Sequence, residues 1–164
     1  MKKLYLALIL GFLGFISLEA ATVSVLVVEA GLPSDNGCTI SAEIWESGMM
    51  DAFFDAGHIV SNAPCQQITA FSYDTSNPLP SELNSEFDQA RIGGADFFVF
   101  VVLNYMDGDY DNPKEIIIRV FRVSSGELLY ETRTTSKIWG TSEEEFLDVK
   151  QSAGKIVPQL SKKG

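Results

Sequence analysis

Residues 94–135, GADFFVFVVLNYMDGDYDNPKEIIIRVFRVSSGELLYETRTT, restrict the possible folds more than any other part of the chain. They hold three successive strand patterns. The run from Ala95 to Tyr105 is almost wholly apolar, as expected of a strand covered on both faces of its sheet. The two runs after it are β-branched and end in turn-forming residues, so they read as further strands. An acidic loop, residues 106–113, separates the first two. Residues 123–127, VSSGE, make a tight hairpin turn with Gly126 where a positive φ is needed.

The segments before this core supply crossovers. Residues 22–29, TVSVLVVE, are valine-rich and bounded by Ala30-Gly31-Leu32-Pro33, which predicts a central first strand. A helix is expected from about residue 41 to 56, since Ile40, Ile44, Trp45, Gly48, Met49, Ala52, Phe53 and Ala56 form one stripe. Gly57 stops it, and residues 58–62 form a short strand. A strand, helix and strand in this span make a right-handed parallel unit. Residues 66–73 alternate weakly and could add a short strand. After the proline-bearing loop 74–80, Ser81 opens a second crossover helix that ends at Gly93-Gly94. Overlapping capping boxes, Thr141-x-x-Glu144 and Ser142-x-x-Glu145, start a last helix near Thr141. Pro158 is expected to kink or end it.

The expected fold is therefore a single α/β (α+β) domain: a mixed five-stranded sheet with two crossover helices, a β-hairpin and a C-terminal helix. A chain of 164 residues has room for one such core. The domain spans 22–161, and residues 162–164 fray.

Residues 1–20 read as a signal peptide: Lys2 and Lys3, an apolar core over 4–18, and the exit Glu19-Ala20-Ala21. The core is shorter than the about 20 residues a membrane span needs. Export to the periplasm or the exterior is the expectation, with cleavage after Ala20 or Ala21 and no membrane-embedded segment in the mature domain. Cleavage at Ala20 removes two lysines and one glutamate and moves the formal charge from -10 to -11. That surface opposes nucleic acid, whose affinity comes largely from basic side chains neutralising phosphates. Basic partners or divalent cations suit it better. Cys38 and Cys65, in an oxidising compartment, read as a disulfide or as two separate buried thiols. The bridge would contribute roughly 3–4 kcal/mol. A two-cysteine metal site would lack further ligands, because the sole histidine is His58.

Three features of the core stretch carry a family resemblance: Ala95-Asp96 after a glycine and before a buried strand, the arm Ile118-Arg119-Val120-Phe121-Arg122-Val123, and the turn ending Gly126-Glu127. With the closing amphipathic helix, they resemble the periplasmic domain of penicillin-binding-protein activator lipoproteins and the curli-secretion lipoprotein. The amino-terminal domain of the Tol-system translocation protein is similar in architecture. The order of elements matches from about residue 23 to 160. Arg122 and Ser125 stand where that family often has aspartate and threonine, and the lipid-attachment cysteine is missing. The resemblance implies a noncatalytic envelope protein that acts by associating with other proteins.

Parallel strands place their carboxyl ends on one sheet edge, where open α/β sheets bind ligands. The loops starting at Glu29, Asn62 and Asn104 meet there, and Cys38 and Cys65 leave that edge from neighbouring strands. Asp107, Asp109 and Asp111 match the first three positions of a calcium loop, but Asn112 replaces its glycine and Ile118 its bidentate glutamate. Ca²⁺ is thus a candidate ligand, beside a plain acidic connection; no other cofactor is expected. Trp139 and Tyr110 are candidate contact residues, although Trp139 could instead pack on the final helix. His58 falls on the opposite edge, structural or at the surface. Glu29 either faces solvent or caps the next loop, with a buried acid as the further option. No phosphate loop, nucleophile elbow or metal-binding histidine pair is present. A small-ligand or divalent-cation binder at the carboxyl edge is the alternative to protein association, and an unrecognised hydrolase the third class.

Overall fold

The computed structural model describes residues 20–33, 37–71, 78–105 and 112–160. Its sheet has the order β2-β1-β4-β5-β6, with β1 Thr22–Ala30, β2 Ile59–Asn62, β3 Gln66–Ile68, β4 Phe97–Asn104, β5 Glu115–Arg122 and β6 Glu127–Thr135. β1 runs parallel to β2, β3 and β4, while β5 is antiparallel to both of its neighbours, β4 and β6. The sheet has six strands where five were expected, but they fill five positions. β2 pairs with Thr22 to Val25 and β3 with Val28 to Ala30, in line along one side of β1. Pro64 has no N–H to donate to a ladder, which accounts for the break between them.

The period of two in a strand sorts the core into two layers. Val25, Val27, Val99, Val101, Ile118 and Val120 face one side, and Leu26, Val28, Phe98, Phe100, Val102 and Phe121 face the other. Both faces are covered, so the strands read as continuous apolar runs. Helix α1 (Ile40–Asp55) and helix α3 (Ser142–Leu160) cover the first face through Trp45, Met49, Phe53, Val149 and Ile156. Helix α2 (Asn84–Ile92), entered through a 3-10 turn at Ser81–Leu83, covers the second with Leu83, Phe87 and Ala90. Among the described residues, no helix is long and apolar enough to cross a membrane.

α1 and α3 lie side by side and point the same way. Lys150 Nζ reaches Asp51 Oδ2 at 2.6 Å and Asp55 Oδ2 at 2.9 Å. At Gly48 the helices approach so closely that a Cβ would lie 2.7 Å from Val149 Cγ1, so a glycine is needed at the contact. α3 continues through Pro158 to Leu160, so the proline does not end it. The proline sits in the last turn, where its missing N–H removes one bond and leaves two residues to follow. Thr141 caps this helix, its Oγ1 accepting from Glu144 N at 3.2 Å, while the Glu144 side chain reaches one residue past the cap, where Gly140 N donates to its Oε2 at 2.8 Å.

His58 is buried at the amino edge, where Ala21 N donates to its Nδ1 at 3.4 Å. Burial lowers its pKa. It is a structural histidine.

Candidate functional site at the carboxyl edge

The carboxyl ends of β1, β3 and β4 lie on one edge, together with the start of α1. β6 also ends there, because it is antiparallel to β5, so the 137–140 connection and the start of α3 arrive at the same place. Between these parts opens a cleft of about 390 Å³, lined by Thr39, Ser41, Tyr105, Trp139, Thr141 and Glu145 among others.

Glu29 anchors the inner wall. Its side chain alternates with Val25 and Val27 toward the α1 side, and the residue is 0% exposed. Thr39 N donates to both carboxylate oxygens at 3.2 Å, Thr39 Oγ1 donates to Oε1, and Gln67 Nε2 donates to Oε2 at 3.1 Å. Glu29 thus caps the next loop from a buried position. Thr39 is the N-cap of α1 and accepts from Ala42 N. Tyr105 Oη lies 3.3 Å from Thr39 Oγ1. Burial pushes the Tyr105 phenol up to about 12, with Thr39 opposing and the Glu29 charge adding to it.

Glu145 forms the floor. The sequence suggests a second capping box for it with Ser142, but it turns inward and accepts from Trp45 Nε1 at 3.1 Å. Burial raises its pKa, against hydrogen bonds from Ser41 and Trp45. A raised carboxyl pKa favours the fold below the unfolded glutamate range, and this contribution is lost as pH rises through the folded value. Glu145→Gln is therefore expected to remove part of the decline in stability from mildly acidic to neutral pH. Urea denaturation across that range measures it; equal pH slopes in both proteins would contradict the assignment.

Trp139 lies edge-on to Trp45 (centroids 6.5 Å apart, 63° between planes) and donates from Nε1 to Asp148 Oδ2 at 3.0 Å. It packs on α3 while staying half-buried at the cleft. Ile40 and Ile138 beside it are 70% and 83% exposed. Cys38 and Cys65 form a disulfide with Cα atoms 6.4 Å apart, which ties the approach to α1 to the link between β2 and β3. Asp107, Asp109, Tyr110 and Asp111 lie outside the described residues; Tyr105 and Asn112, either side of that loop, line the cleft.

The roles of Thr39, Ser41, Tyr105, Gln67 and Glu145 were not anticipated from sequence. Thr39 carries a local signal, a threonine just before an apolar helical stripe. The others have none, because their partners are distant in the chain.

No family model matches the chain, and no curated protein matches it. Solved structures do resemble it. The PelC dodecamer of Paraburkholderia phytofirmans is 16% identical over 88% of this chain and 90% of that one, with a TM-score of 0.46. The LpoB C-terminal domain of Escherichia coli is 16% identical over 80% and 94%, with a TM-score of 0.42. TolB of Acinetobacter baumannii is 10% identical, with a TM-score of 0.42, over 85% of this chain but 28% of its own length.

Proposed function

We propose that this is a noncatalytic, exported protein of the cell envelope that acts by associating with another protein at the carboxyl-edge cleft. The observation that carries the reading is the cleft itself: a polar floor of Ser41, Tyr105 and Glu145 beside half-buried Trp139, with exposed Ile40 in its lining and exposed Ile138 next to Trp139 in the chain. A partly buried tryptophan near exposed aliphatic side chains is the composition of a protein contact. Tyr105 keeps its proton at neutral pH and so acts as a hydrogen-bond donor, not as a base. The amino-terminal pattern and the disulfide support export. The chain's net charge of -10 favours a partner with a basic contact face.

Site-directed photocrosslinking in intact cells tests this. A crosslinking residue at Ile138 is expected to capture one envelope protein reproducibly. The same residue at Ile92, 78% exposed at the end of α2 by the amino edge, should not capture it. Capture of the same protein from both positions, or of nothing specific from Ile138, would sink the proposal.

A further inference from the structure

We propose that in its dithiol state the protein binds Zn²⁺ through Cys38, Cys65 and Glu29. The two Sγ atoms and a Glu29 carboxylate oxygen all lie within 4.8 Å of one another. Zinc holds thiolates at about 2.3 Å and carboxylate oxygens at about 2.0–2.2 Å, so tetrahedral ligand atoms sit roughly 3.5–3.8 Å apart. With Cα atoms 6.4 Å apart, the reduced pair reaches that spacing by side-chain rotation. The third ligand, Glu29, comes from β1. His58 is at the opposite edge and plays no part.

Three features suit Glu29 to this role. It is fully buried, and no basic side chain pairs with it among the described residues; a buried carboxylate is costly without a compensating charge. Thr39 N–H, Thr39 O–H and Gln67 Nε2 fix its orientation, as supporting hydrogen bonds do for metal-ligating carboxylates. Those three donors make four contacts on a group with about four lone-pair sites, and the Thr39 N–H, shared between both oxygens at 3.2 Å, is the contact that a metal ion displaces on one of them. Two thiolates and one carboxylate favour Zn²⁺ over Ca²⁺ or Mg²⁺. The fourth position is left for water.

The chemistry balances. An external dithiol gives two electrons and two protons to the Cys38–Cys65 bond and becomes a disulfide itself. Zn²⁺ then displaces the two thiol protons. A disulfide oxidant reverses the sequence: the sulfur–sulfur bond re-forms and the ion leaves. Metal and disulfide are therefore mutually exclusive at this site. The inference is independent of the proposed protein association.

The test uses purified protein reduced with dithiothreitol and desalted without oxygen, then titrated with Co²⁺ as a probe and with Zn²⁺. One Co²⁺ per chain is expected, with thiolate charge-transfer and tetrahedral ligand-field absorption that one equivalent of Zn²⁺ abolishes. The oxidised protein should bind none. Glu29→Gln should weaken binding by about tenfold or more, and Glu29→Asp, which keeps the charge but retracts the oxygen, should weaken it too. Circular dichroism follows the fold throughout. Absence of the spectrum in the reduced protein, equal uptake by the oxidised protein, undiminished affinity in both Glu29 variants, or a reduced chain that stays unfolded with Zn²⁺ would each overturn the proposal.

Discussion

Replacing Arg119 by alanine is expected to lower the free energy of unfolding by about 3 kcal/mol. Arg119 is 0% exposed on the α2 face of β5. Its Nε pairs with Glu131 Oε2 at 2.5 Å, its Nη1 donates to the Pro78 carbonyl at 2.5 Å, and its guanidinium lies 5.8 Å from the Phe71 ring centroid. One side chain thus joins the hairpin to both ends of the connection that leads into α2. Removing it strands the Pro78 carbonyl, takes a cation from Glu131 and leaves a void. The estimate sits at the low end for a broken buried pair because the Glu131 side chain remains 23% exposed. Arg119→Lys should recover only part of the loss, since an ammonium cannot reproduce the planar fork. Urea denaturation measures both; a loss under about 1 kcal/mol for the alanine variant would contradict the role.

The second large effect is expected at the disulfide. The bridge closes a separation of 27 residues, so the double variant Cys38→Ser, Cys65→Ser should lose about 3–4 kcal/mol in the chain-entropy account. The loss should appear as a lower urea midpoint with a somewhat steeper slope, because the unfolded chain without its cross-link exposes more surface. Because the bridge ties the approach to α1 to the β2–β3 link, faster amide exchange is expected first in those two segments. An unchanged midpoint under non-reducing conditions would show that the bridge constrains nothing.

Much of the fold was legible in the sequence, because two-sided burial leaves its mark on every residue of a strand. β1 and β4 read as continuous apolar runs since each packs helices on both faces. The parallel pairing of β1 with β4, on which the placement of the carboxyl edge depended, holds in register from Val23↔Phe97 to Ala30↔Asn104. Where expectation failed, backbone chemistry explains it. Pro158 falls too late in α3 to end it.

The site was less legible. Thr39 meets Tyr105 across 66 residues, and Trp45 meets Glu145 across 100; no local period encodes such pairs. Glu145 satisfies a capping-box spacing, so its local pattern pointed to Ser142 while burial turned it toward Trp45. Arg119 stands in a strand at an inward position, where the alternation predicts an apolar residue, and only its partners explain a charge there.

Hydrogen exchange on the protein, alone and with the partner captured at Ile138, tests the central claim most directly. Binding at the carboxyl-edge cleft predicts slowed exchange at amides 39–45 and 137–145, with residues 54–60 and 92–96 unchanged. Protection confined to the amino-edge residues, with none around Thr39, Trp139 and Glu145, would contradict it.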